Sequence, residues 1–124
     1  MKQKVYISTP LNARTEPTVQ KRYEAAKERC QYIINVLSGM PEFKETEFIT
    51  TFDINPWGKR SENQAMGNCI AAVMDCDLIL MDYGWNESRG CNLEYYCASI
   101  YDIPVQGVSN YGVMTERDYM RLRG

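Results

Sequence analysis

Asp77-Leu78-Ile79-Leu80-Met81, followed three residues later by Gly84-Trp85-Asn86-Glu87-Ser88-Arg89-Gly90-Cys91-Asn92-Leu93-Glu94-Tyr95-Tyr96-Cys97-Ala98, decides how this chain folds. The five-residue run is short and apolar at four positions, as expected of a strand buried on both faces. Beyond it Leu93, Cys97 and Ile100 recur at helical spacing, so the segment between joins a strand end to a helix start. In open α/β sheets, ligands bind beyond the carboxyl ends of strands, beside helix N-termini with free N–H groups. Ser88 is placed to cap that helix, with Arg89 and Gly90 in its first turn. Gly90, Glu94, Ala98 and Tyr101 share one stripe of it, so Glu94 has small or aromatic neighbours and no lysine one turn on. A carboxylate at a sheet mouth can act as nucleophile or general base. The plainer reading is a solvated helix glutamate.

Working outward, Lys4-Val5-Tyr6-Ile7-Ser8 reads as a strand ended by Thr9-Pro10. Ser8, Thr9 and Arg14 of the following loop offer hydroxyls and a guanidinium to a phosphate, although no glycine-rich cradle accompanies them. Thr18 caps a long helix in which Val19, Tyr23, Ala26, Cys30, Ile33 and Leu37 form the apolar stripe, and Gly39 with Pro41 stops it. A second strand is expected at Glu47 to Thr51, then a loop with Asp53, Asn55 and Trp57, a ring that either stacks on a planar ligand or covers the sheet edge. Ser61 and Gln64 form a capping box opening another helix, buried through Met66, Cys69, Ile70 and Val73. Ile103-Pro104-Val105 reads as a fourth strand, and Thr115 starts a short final helix. The β-α-β-α-β-α-β order predicts an α/β fold: a Rossmann-like or flavodoxin-like three-layer sandwich on a parallel sheet of four to five strands. One domain spans 1–124, with its core at 4–106 and a tail at 107–124.

Composition narrows the chemistry. The 124 residues carry a net charge of −2, 44% hydrophobic and 24% charged residues. That balance fits a globular domain and argues against a nucleic-acid polymer or an anionic membrane as partner. No apolar stretch reaches the roughly 20 residues of a membrane span, and no leader-like segment opens the chain, so a cytoplasmic protein is expected. The five cysteines, with no Cys-x-x-Cys, read as reduced thiols. Histidine is absent, which excludes Ser-His-Asp and Cys-His catalysis and makes a zinc site improbable. Neither a dinucleotide fingerprint nor a P-loop is present, so neither a cofactor nor a metal is expected. Acid–base work falls to carboxylates, tyrosine, lysine or a thiol.

These segments together resemble the nucleoside 2-deoxyribosyltransferase superfamily, most closely a small bacterial and phage branch similar to deoxynucleoside monophosphate N-glycosidases. The resemblance rests on Val5-Tyr6-Ile7-Ser8-Thr9-Pro10, Asn55-Pro56, Cys76 to Leu80, Gly84-Trp85, Ser88 to Glu94, Ala98 and Ile103-Pro104-Val105. It implies a Rossmann-like domain acting on the N-glycosidic bond of a nucleoside or nucleotide, with Glu94 as nucleophile on C1′. It also implies that Ser88, six positions earlier, contacts a 5′-phosphate, and that Tyr6 lies near the site. Ser8, Thr9 and Arg14 fall in the phosphate-side loop. Asp53, Asn55, Trp85, Asn86, Arg89 and Gly90 are expected to line the substrate, and Asp82 is a further catalytic candidate. Family members place an aspartate eight positions ahead of the one that opens the third strand; here 77 − 8 = 69 is Cys69. Asp53 and Asp82 stand as its replacements. A binding protein without turnover and a structural or assembly protein are the alternatives. Relatives form dimers or larger homo-oligomers, for which the tail rings of Tyr111 and Tyr119 would suit a contact.

Overall fold

Val5, Tyr6, Ile7 and Ser8 are all buried, so the first strand has no face to give to water and takes the centre of a sheet. The computed structural model, which describes residues 2–11, 18–56, 58 and 61–123, builds four parallel strands in the order β2-β1-β3-β4. They are β1 (Gln3–Ser8), β2 (Thr46–Thr50), β3 (Leu78–Met81) and β4 (Val105–Gly107). Five helices accompany them among the described residues: α1 (Val19–Ser38), the single turn α2 (Thr51–Ile54), α3 (Glu62–Met74), α4 (Arg89–Ile100) and α5 (Glu116–Arg123). The chain is thus one α/β domain. Because β1 pairs with both β2 and β3, the chain turns one way from β1 and the other way after β3. The crevice at that reversal is where such sheets hold ligands.

Alternation along β1 divides the core in two. Val5 and Ile7 pack with Ala26, Cys30, Ile33 and Leu37 of α1. Tyr6 points the other way, among Cys69 and Val73 of α3 and Cys91, Cys97 and Ala98 of α4. The helix starts follow the sequence signals. Thr18 Oγ1 accepts the Lys21 N–H at 3.1 Å, and Ser61 and Gln64 cap each other across the first turn of α3.

Four expectations need correction. The second strand stops at Thr50, and residues 51–54 wind into a helical turn instead of a strand end and loop. The cause is local: the Asp53 carboxylate accepts the Thr50 N–H at 3.0 Å and its hydroxyl at 3.1 Å, closing a capping box. The last strand lies two residues later than expected, at 105–107, since Ile79 pairs with Val105 and Pro104 contributes only its carbonyl to the ladder. On α4 the buried stripe is Cys91, Glu94, Cys97 and Ala98, while Leu93 and Ile100 are 48% and 71% exposed. Small residues win the inner face because α3 comes close; a Cβ on Gly90 would lie 3.4 Å from Met66 Sδ. Finally, the tail rings are not free. Tyr119 is buried against Tyr32 at 4.8 Å between centroids, and Tyr111 meets Phe43 edge-on at 4.9 Å.

Helix α4 ends in a Schellman motif, with Ile103 N–H reaching Ala98 C=O at 2.9 Å and Asp102 N–H reaching Ser99 C=O at 3.5 Å. Asp102 occupies the left-handed position there, at φ 56°. Among the described residues no helix is long and apolar enough to cross a membrane.

Candidate active site

Glu94 is 5% exposed, on the inner stripe of α4, beside the carboxyl end of β1. Tyr6 Oη donates to its Oε2, and Ser8 Oγ donates to its Oε1 at 2.7 Å. Tyr6 and Ser8 face the same side because they are two residues apart on one strand. Both oxygens of the carboxylate are therefore fixed by the central strand. Burial pushes the Glu94 carboxyl above its ordinary range, and the hydrogen bonds from Tyr6, Ser8 and Cys69 act against that rise without cancelling it. Tyr6 is pushed well above its ordinary value, by burial first and by the charge of Glu94 second. It stays a donor. The groups that act on Glu94 among the described residues are the neutral donors Tyr6, Ser8 and Cys69, with no cation among them.

Cys69 stands against this carboxylate from α3. Its thiol donates to Thr51 Oγ1 at 3.1 Å and lies 3.4 Å from Asn55 Nδ2. Burial raises its pKa, so it remains a neutral thiol. Burial pushes Cys91, one turn earlier on α4, up to about 11, and hydrogen bonding with Ser8 and Ser88 acts against that rise. The site thus consists of one carboxylate ringed by neutral O–H and S–H groups.

Of the other residues singled out from the sequence, Ser88 caps α4, its Oγ accepting the Cys91 N–H at 3.3 Å, which leaves the hydroxyl proton available to a ligand. Trp85 stacks on Tyr95 at 4.8 Å with the rings inclined by 23°. Tyr95 drew no notice in the sequence, though it adjoins Glu94. Asn86 is exposed, and its carbonyl accepts from Asn92. Gly90 is a contact point for α3. Arg89 is turned outward, 3.6 Å from Glu62. The Asn55 amide is engaged by protein, donating to Thr51 Oγ1 at 3.1 Å and Ala65 C=O at 3.2 Å, while Asn68 donates to its Oδ1 at 3.0 Å. Asp53 is occupied in the α2 cap. Arg14 and Trp57 lie outside the described residues.

Asp82 and Thr9 belong to the opposite face. The Asp82 carboxylate forms a two-armed pair with Arg29, Nε to Oδ2 at 3.1 Å and Nη2 to Oδ1 at 2.9 Å, and also accepts the Tyr83 N–H. Arg29 Nη2 donates as well to the Met114 carbonyl at 2.6 Å, and its guanidinium lies 5.3 Å from the Tyr119 ring centre. Thr9 accepts a hydrogen bond from Cys30, a thiol that burial pushes up to about 12. Sequence reasoning overlooked Arg29. The signal was there: it lies three residues after Ala26 and four before Ile33, on the buried side of α1. A cavity of about 10 Å³ lies on this face beside Thr9, Arg29 and Tyr119, with room for roughly one water. It is not at Glu94. Among the described residues no group of three or more His, Cys, Asp or Glu side chains is arranged to hold a metal ion.

Fold and cluster together define an α/β domain of the doubly wound class with a buried carboxylate at the carboxyl edge of its central strand. The chain belongs to the family described as "Domain of unknown function (DUF4406)", whose profile matches residues 3–106. The match runs from β1 to β4 and includes Tyr6, Ser8, Cys69 and Glu94; α5 falls beyond it. A search of curated proteins finds no match.

Proposed function

We propose that this protein cleaves or transfers the N-glycosidic bond of a nucleoside or nucleotide, with Glu94 as nucleophile on C1′ of the sugar. The observation that carries this reading is the pair of hydroxyls, Tyr6 and Ser8, fixing both oxygens of a buried carboxylate at the end of the central strand. A glycosidic bond breaks through an oxocarbenium-like state, and a carboxylate already stripped of water stabilises or captures that positive charge strongly. In the first step Glu94 forms a bond to C1′ while the C1′–N bond breaks and its electron pair leaves with the base. In the second, water or another base takes the sugar, and Glu94 is released. Ser88 and the amino end of α4 would receive a 5′-phosphate.

A second reading, a nucleotide-binding protein without turnover, is favoured by Cys69. A neutral thiol bonded to Thr51 orients a sugar hydroxyl less firmly than the carboxylate that the resemblance places there.

The test is release of free base from nucleosides and their 5′-monophosphates, separated by chromatography. Glu94→Ala should abolish release, a loss of at least about 1,000-fold for a nucleophile. Binding with no release by the unaltered protein would favour the second reading; neither binding nor release would sink both. Ser88→Ala should weaken monophosphates about tenfold more than nucleosides. Since Ser88 also caps α4, the ratio of the two affinities is the quantity to measure, and equal losses would remove the phosphate role.

A further inference from the structure

Breaking a C1′–N bond asks for negative charge beside the sugar and for a proton, or its equivalent, on the departing nitrogen. Glu94 answers the first need. For the second, the acids nearby are already committed. The chain has no histidine. Among the described residues, Asp53 closes the α2 capping box with Thr50, and Asp82 is held by Arg29 on the opposite face. Tyr6 and Ser8 direct their protons to Glu94, and the Cys69 thiol donates to Thr51. Burial pushes Tyr6 and Cys69 upward, so both hold those protons. Glu94 cannot be anionic nucleophile and proton donor in one step.

We infer that the substrate brings the positive charge with it: a nucleoside or nucleotide whose base is a cationic aromatic ring joined to C1′ through a quaternary nitrogen, a pyridinium being the type. This rests on the reading of Glu94 as nucleophile and narrows its substrate class. Such a base departs neutral and needs no acid. The C1′–N bond breaks with its electron pair passing to the ring nitrogen, as a Glu94 oxygen bonds to C1′. Water then bonds to C1′, Glu94 departs as carboxylate, and the proton from water goes to solvent. Two further features favour a cation. Glu94 is a buried carboxylate on which only neutral donors act among the described residues, so a positive ring supplies the partner it lacks. Trp85 and Tyr95, stacked at 4.8 Å, are half-buried against the cluster that contains Tyr6 and Cys91, and such rings attract cations.

The test compares release of free base from two sets of compounds, with Glu94→Ala as background. One set is the riboside of pyridine-3-carboxamide and its 5′-monophosphate; the other is inosine, uridine and their 5′-monophosphates. The pyridinium set should show kcat/KM at least about 100-fold higher, the contribution of a missing general acid. Its rate should rise with pH as Glu94 ionises and stay level beyond. Calorimetry gives a readout that needs no turnover: Glu94→Gln should weaken the pyridinium riboside at least about tenfold and inosine far less. Release from both sets with kcat/KM within about tenfold, lost in Glu94→Ala, overturns the inference and leaves the glycosidase reading standing. A descending alkaline limb shared by both sets would reveal an acid at work, with the same consequence. No release from any of them, with both ribosides bound equally by the unaltered and Glu94→Gln proteins, overturns the inference and the reading together.

Discussion

The two faces of the sheet treat a buried carboxylate in opposite ways. On the α1 side, Asp82 is matched by Arg29, with two hydrogen bonds and a backbone amide besides. On the α4 side, Glu94 is as deeply buried and is met by neutral donors alone among the described residues. A matched charge is settled; replacing both partners by apolar groups can be neutral, while removing one leaves a bare ion in a dry core. An unmatched carboxylate is costly to keep, and its surroundings favour the protonated form until something positive arrives. That asymmetry separates a matched ion pair from an unmatched carboxylate, although the sequence shows two ordinary acids.

The comparison breaks most visibly at Asp82. Asp82→Ala should destabilise the fold by about 3–5 kcal/mol, because Arg29 would remain charged and unpaired. Chemical denaturation measures this. The double change Arg29→Met with Asp82→Leu should cost markedly less, and equal losses would show that the pair itself is not what matters.

At Glu94 the expected sign is reversed. Glu94→Gln should raise the melting temperature by a few degrees at neutral pH, since the charged form no longer has to be buried. The folded pKa of Glu94 is raised, so its stabilising contribution is full below the ordinary glutamate value of 4.5 and is lost as pH rises through the folded value. The advantage of the glutamine variant should therefore grow as pH increases from about 4.5, and base release by the unaltered protein should rise over the same interval. Melting curves at a series of pH values check the first, and a pH–rate profile the second. A pH-independent difference would mean that Glu94 is not perturbed.

The smallest effect tests the α4 terminus. Asp102 holds φ at 56°, where glycine fits without strain, so Asp102→Gly should stabilise the domain by about 0.5–1 kcal/mol in thermal unfolding. A loss instead would mean that the aspartate side chain contributes more at the helix end than its backbone strain costs.

Much of this was written in local pattern. Thr18 and the Ser61–Gln64 box mark helix starts correctly because caps depend on residues three apart in sequence. The run at 78–81 is a strand buried throughout, as its uniform apolarity implied. Glu94 was legible as a candidate through its loop-to-helix position, Ser8 through the hydroxyls that follow the opening strand, and Tyr6 through the family resemblance alone. Other features resist such reading because they depend on distant partners. Leu93 and Ile100 had the spacing of a core stripe, yet the close approach of α3 awarded that side to Gly90, Cys91 and Ala98. Asp82 looked like a catalytic acid until α1 brought Arg29 to it from 53 positions away. Asn55 looked like a ligand contact until its amide was taken up by Thr51 and α3.

The sequence by itself determined the parallel α/β order, the helix starts and the placing of Glu94 at a sheet mouth, because periodicity and capping are short-range. Tertiary structure alone decided which acid is neutralised and which stays unmatched, since charge pairing depends on which side chains the sheet brings within about 3 Å of each other.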